Sequence, residues 1–144
     1  MSDDLRREII FEGEGPQTCF GCGPDNPDGL GLRFYETDDG VEVEYTVEER
    51  FNGAPGVVHG GVQATLLDEA LCMTAYAKES TPVVTGELTV RYHRPLPTRV
   101  PLLVRARITE SVRGSYFAEG EILVAGEDEA ATRARARLFP QSGR

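Results

Sequence analysis

Little in this chain is basic, apolar over a long stretch or rich in cysteine, and each shortage excludes something. Lys plus Arg number 15 against 24 Asp plus Glu, for a net charge of −9. Phosphate binding needs a basic footprint, so nucleic acid is not expected as a partner. No apolar run approaches the roughly 20 residues that a spanning helix needs, so no membrane span is expected. Three cysteines, an odd count without framework spacing, suit a reducing compartment rather than a disulfide scaffold. The opening Met-Ser-Asp-Asp-Leu-Arg-Arg-Glu has neither the apolar core nor the small-residue cleavage site of a secretory signal, and a cytoplasmic location is expected. Repeats, low-complexity tracts and linkers are missing too. One domain over residues 1–144 is expected, with residues 1–15 as a polar lead-in. The only lysine is Lys78; the other bases are arginine, which binds phosphates bidentately where a substrate carries them.

What remains is strongly patterned. A short strand is expected around Ile9 to Phe11, before a turn-rich segment from Cys19 to Leu30 full of Gly, Pro, Asn and Asp. Leu30 to Tyr35 reads as a strand. Val41, Val43, Tyr45 and Val47 alternate with polar residues, as in a half-buried strand. From Val62 to Ala77 the apolar residues go around the whole helical circumference, and a helix apolar all round is buried. It would be about 25 Å long. Four strand-like runs follow and are expected to form an antiparallel meander: Val83 to His93, Leu102 to Val112, Tyr116 to Ala125 and Ala130 to Phe139. In the first, simple alternation puts Val84, Gly86, Leu88, Val90 and Tyr92 on one side and Thr85, Glu87, Thr89, Arg91 and His93 on the other. The class is α+β: a curved antiparallel sheet wrapped around one long helix. One sheet face cannot cover a whole helix, so a second copy is expected to cover the rest.

The chemistry sits where the helix begins, at His59-Gly60-Gly61, with Asp68 two turns further in. Glycines at a helix start leave free N–H groups uncovered, and the dipole there favours negative charge. A carboxylate on an apolar helix is costly unless it is paired or used. Together they point to acyl transfer or hydrolysis. Gly61 and Asp68 are about 10 Å apart along the axis, too far to act on one carbonyl. Two antiparallel copies across a two-fold axis bring them together, each lending its helix start to one site and its Asp68 to the other.

With these residues in view, the chain resembles the hot-dog-fold acyl-CoA thioesterases of the PaaI-like branch. The resemblance rests on His59-Gly60-Gly61 with Asp68, on Cys19-Phe-Gly-Cys22-Gly-Pro-Asp-Asn-Pro-Asp-Gly-Leu, on Phe51-Asn52-Gly-Ala-Pro-Gly56, and on Val84-Thr85-Gly-Glu-Leu-Thr-Val-Arg91-Tyr-His-Arg94-Pro95. It implies hydrolysis of an acyl thioester to a free acid and coenzyme A, in a homodimer or a dimer of dimers. It implies no metal and no cofactor beyond the coenzyme A of the substrate. Asp68 would be nucleophile or general base, the Gly61 amide would polarise the carbonyl, and His59 would orient the turn or assist at the carbonyl side. Thr85 would place water or the carboxylate. Asn52 is the nearest match to a polar residue upstream of the helix, at a spacing that departs from the commoner pattern.

Other readings compete. An acyl-CoA-binding sensor or structural homodimer on the same fold is the alternative, though a pure binder gains little from an unpaired carboxylate. A dehydratase ranks last, because His59 stands at the turn and not beside Asp68. Gly60, Arg91 and Arg94 are candidates for substrate binding, with Arg94 preferred over Arg91 and Arg99 for the coenzyme A phosphates. Arg133, Arg135 and Arg137 share one strand face and read as surface charge. Glu69 reads as interface or rim and Cys72 as core. A lone Cys19-x-x-Cys22 without a second pair or a nearby histidine is weak as a metal motif and reads as a loop over the pocket entrance. Tyr76, Phe20, Met73 and Leu71 are candidate pocket linings; the acyl class stays open.

Overall fold

A computed structural model describes residues 6–141, so the start of the polar lead-in lies outside the described residues. The chain runs through β1 (Tyr35–Glu36), β2 (Gly40–Thr46), α1 (Gly60–Glu79), β3 (Val83–Tyr92), β4 (Pro101–Val112), β5 (Ser115–Val124) and β6 (Thr132–Pro140). The strands form one antiparallel sheet in the order β1-β2-β4-β5-β6-β3. Helix α1 packs against β2 through β6, and this sheet curled on one helix is the hot-dog fold.

Alternation decides which face of each strand meets the helix. On β6 Ala134, Ala136 and Leu138 are buried while Arg133, Arg135 and Arg137 are exposed. Arg137 stacks between the rings of Phe117 and Phe139, at 5.2 and 5.1 Å. The turn from β4 to β5 uses Arg113 and Gly114, both at positive φ (51° and 80°), which matches the twist of a tight hairpin. Fully buried Leu66, Leu67 and Leu71 of α1 meet Val41, Val104, Ile122 and Leu138 of the sheet.

Four expectations need correction. The stretch from Leu30 to Tyr35 pairs as a strand only at its end, where Tyr35–Glu36 forms β1. Leu30, Leu32 and Phe34 are buried, but their backbone neighbours are loops: Leu30 N donates to Phe20 O at 2.8 Å and Leu32 N to Gly21 O at 2.9 Å. Likewise the segment around Ile9 makes only an isolated bridge, Glu8 to Tyr35, with Ile9 N donating to Phe34 O. Helix α1, in turn, is not buried all round. Gly61 is exposed and Thr65, Asp68, Cys72 and Tyr76 are only half-buried, and their spacing puts these residues on one stripe.

That stripe lies beside β3, which pairs with β6 alone among the described residues and so is an edge strand. Near its start the ladder slips between Thr85 and Glu87, leaving Gly86 as the extra residue. Glycine suits this position, because a Cβ there would sit 2.3 Å from Phe139 Cε2 and the ring would have to shift. The bulge overturns simple alternation. Thr85, paired with Leu138, joins Leu88 and Val90 on the helix side, while Glu87, paired with Arg137, turns outward. Among the described residues no helix is long and apolar enough to cross a membrane.

Candidate active site

The start of α1 is held by His59, whose extended backbone (ψ 137°) marks the cap. Its carbonyl accepts from Val62 N at 3.0 Å and Gln63 N at 3.1 Å, and its Nδ1 accepts from Gly61 N at 2.9 Å. An Nδ1 that accepts places the ring hydrogen of neutral His59 on Nε2. The Gly61 amide, expected to face an electrophile, is therefore engaged within the protomer. The amide without a partner among the described residues is that of Gly60. Tyr92, at the end of β3, donates its hydroxyl to Gly60 O at 2.7 Å and so fixes the neighbouring peptide. Sequence reasoning missed Tyr92, since nothing local ties it to a residue 32 positions away.

Two turns along, Asp68 Oδ1 accepts from Thr85 Oγ1 at 2.5 Å. Thr85 Oγ1 also lies 3.2 Å from Cys72 Sγ. Since the threonine hydrogen goes to Asp68, the thiol of Cys72 is the donor to Thr85. Burial, reinforced by the Asp68 charge, pushes that thiol up to about 12, so it stays protonated at neutral pH. Cys72, Thr85 and Asp68 thus form a relay that fixes one carboxylate oxygen. Oδ2 of Asp68 has no hydrogen-bond partner among the described residues.

Asp68, Cys72 and Thr85 line a cavity of about 480 Å³, closed on one side by Phe11, Cys19 and Cys22 of the N-terminal segment. Tyr76 and Met73 line it as expected; Leu71 is fully buried in the core and Phe20 points outward, half-exposed. Phe11 packs on Tyr76 with ring centroids 5.0 Å apart, and Glu12 N donates to Tyr76 Oη. The volume falls in the range of small-ligand sites. His59, Gly60 and Gly61 are not among its walls. Within one protomer the carboxylate and the helix mouth belong to different surfaces.

The remaining candidates are dispersed. Asn52 lies behind the His59 turn, bridged to Val58, with its Oδ1 buried and without a partner among the described residues. Arg91 is exposed opposite Arg133 on the outer face. Arg94 donates to Glu129 O at 3.0 Å and faces the Glu129 carboxylate at 3.4 Å. Glu69, read as rim, instead turns to the N-terminal loop, accepting from Cys19 Sγ at 3.3 Å. Burial and the nearby Glu69 charge push the Cys22 thiol far above its ordinary range.

The fold has counterparts among known proteins. Residues 55–131, from the loop before α1 to the start of β6, match the thioesterase superfamily profile. A thioesterase superfamily protein of known crystal structure is 30% identical with a TM-score of 0.73, over 83% of this chain and 58% of that one. This chain thus spans little more than half of that relative's length. A thioesterase superfamily protein from Shewanella loihica is 25% identical (TM-score 0.66; 77% of this chain, 91% of that one). The Escherichia coli PaaI protein of the phenylacetic acid degradation operon, 20% identical, shares the fold (TM-score 0.68; 76% of this chain, 83% of that one). With the profile matching more than half of its length, across the helix that carries His59, Gly60 and Asp68, the chain belongs to the thioesterase superfamily.

Proposed function

We propose that this protein hydrolyses acyl-CoA thioesters to the free acid and coenzyme A, at a site that two copies share. The observation that carries the reading is Asp68, which lines a cavity of ligand size with one oxygen fixed by Thr85 and the other without a hydrogen-bond partner among the described residues. As general base, Oδ2 takes a proton from water while the water oxygen bonds to the carbonyl carbon. The C–S bond then breaks and the coenzyme A thiolate leaves, to be protonated. As nucleophile, the same oxygen bonds to the carbon directly, the C–S bond breaks and the coenzyme A thiolate leaves to be protonated, and water then hydrolyses the anhydride to the free acid and the Asp68 carboxylate. In either case negative charge grows on the carbonyl oxygen and needs a donor near 3 Å. The Gly60 amide, unpartnered at the positive end of α1, is the donor we assign, with His59 and Gly61 holding its turn and Asn52 backing it.

A second copy of the chain is required by this assignment. Eight residues of helix separate Gly60 from Asp68, about 12 Å along the axis. The half-open stripe of α1 and the unpaired edge of β3 lie side by side, a surface suited to its own two-fold mate. Arg91 and Arg94 lie within two residues of Tyr92 in sequence, Arg91 on the outer sheet face and Arg94 against Glu129, and we assign the coenzyme A phosphates to them as the nearest cations along the chain. The exposed contact of Arg94 with Glu129 is weak enough to yield.

A panel of acyl-CoAs, followed by release of free thiol, tests the function. Turnover is expected with at least one acyl class, and Asp68→Asn is expected to lower it by on the order of 10² or more without unfolding the protein. An unchanged rate in Asp68→Asn removes the mechanism. Binding of acyl-CoA without turnover across the panel makes the protein a sensor instead.

A further inference from the structure

The N-terminal segment brings to the cavity a group of side chains that the proposed hydrolysis does not use. The ligating atoms of Cys19, Cys22 and Glu69 all lie within 4.8 Å of one another, and all three residues line the cavity that holds Asp68. Taken alone, the Cys-x-x-Cys pair lacked a further ligand; α1 supplies it from 47 residues away, measured from Cys22 to Glu69. We propose that Cys19, Cys22 and Glu69 bind a divalent metal ion of the zinc class, with a fourth coordination position open to the cavity.

The backbone is shaped to hold these atoms together. Gly21 and Gly23 are both buried, and neither has room for a side chain. A Cβ on Gly21 would stand 2.3 Å from Glu69 Cγ, so only glycine lets the helix carboxylate come up beneath the loop. A Cβ on Gly23 would stand 2.3 Å from Cys19 N, and Gly23 N donates to Cys19 O at 2.9 Å, closing a tight knuckle between the two thiols. The bonds from Leu30 and Leu32 to Phe20 and Gly21 anchor that knuckle to the core. Tetrahedral zinc with bonds of about 2.3 Å to sulfur and 2.0 Å to oxygen puts those atoms about 3.5 Å apart. Cys19 Sγ and Glu69 Oε1 are separated by 3.3 Å.

Two simpler accounts fit less well. In a Cys19–Cys22 disulfide the cluster would lose the thiol hydrogens that now face Glu69, stranding a half-buried carboxylate among acceptors. As a purely hydrogen-bonded cluster, the site offers the carboxylate only weak thiol donors beside a second acid, Asp68, on the same helix. A cation answers both. On binding, the two thiols lose their protons to solvent and the ion takes two thiolates and one carboxylate. A thiolate-containing set suits zinc over magnesium or calcium. Three protein ligands with one position left open is the pattern of reactive zinc sites rather than of closed structural ones.

The test uses the full chain, reduced, stripped with a chelator and loaded with zinc or cobalt(II). Elemental analysis after dialysis is expected to give one zinc per chain, and cobalt(II) to give thiolate charge-transfer absorption with tetrahedral d–d bands. Cys19→Ser combined with Cys22→Ser is expected to abolish both signals, and Glu69→Gln to weaken zinc binding by on the order of tenfold or more. Zinc is also expected to protect Cys19 and Cys22 of the unaltered chain from N-ethylmaleimide, read by mass spectrometry, which needs no variant to fold. Zinc content near zero, equal content in the double serine variant, or unprotected thiols in the loaded protein overturns the proposal. None of these readouts depends on thioester turnover.

Discussion

Asp68 declares itself in the sequence because a carboxylate on an apolar helix demands a reason, whereas the residues that control it do not. Thr85 is one threonine among many, and by strict alternation it belongs with Glu87 and Arg91 on the outer face. Only the resemblance to a family singled it out. In the sequence Cys72 reads as core and Glu69 as interface or rim, because their partners, Thr85 and Cys19, lie far away along the chain. The relay gives Thr85 a testable weight. A hydrogen bond to a charged group contributes about 1.5–3 kcal/mol. If Thr85 aims Asp68 in the transition state, Thr85→Val is expected to lower kcat by roughly 10- to 100-fold at similar stability, while Thr85→Ser keeps most of the rate. A loss in the valine variant confined to KM would give Thr85 a binding role instead.

At the scale of elements, the helix, its start and the four long strands were legible because their periods are strong, and the β4–β5 hairpin because Arg113-Gly114 allows only a few turns. The ladder slip was not legible. A glycine in a strand is a general hint of a bulge, but its cause here is Phe139, which arrives on β6 more than 50 residues later. Gly86→Ala therefore probes both stability and site. Its Cβ would overlap the Phe139 ring, so either the ring leaves its place against Arg137 or the bulge slides along β3. Overpacking of this kind destabilises by about 1–3 kcal/mol. Chemical denaturation is expected to show a loss in that range, and activity to fall further than stability alone explains, because a slipped bulge turns Thr85 away from Asp68. Full activity in a destabilised Gly86→Ala protein would show that the aim of Thr85 does not depend on the bulge.

At the scale of the whole molecule the strand order departs from the expected meander, because β3 bypasses its chain neighbour β4 to pair with β6, and such long-range pairing leaves no local trace. What the sequence does carry is the reason to propose a second copy, through the length of helix between its mouth and its acid. The structure sharpens that reason into an experiment. Gly60 is the first residue of α1, where a proline is tolerated, and His59 before it already has the extended backbone that a following proline requires (φ −56°, ψ 137°). Gly60→Pro thus deletes the assigned amide hydrogen while leaving the helix its normal bonds, and Gly60→Ala serves as the control that keeps the hydrogen. Alone, Gly60→Pro and Asp68→Asn are each expected to be nearly inactive and Gly60→Ala substantially active. After denaturation and refolding of the two inactive proteins in equal amounts, half of the dimers are mixed and each holds one intact site of two. About a quarter of the unaltered activity is then expected, from a site built of one subunit's amide and the other's carboxylate. Mixed dimers confirmed by mass spectrometry that stay inactive would place both groups in a single protomer and end the shared site.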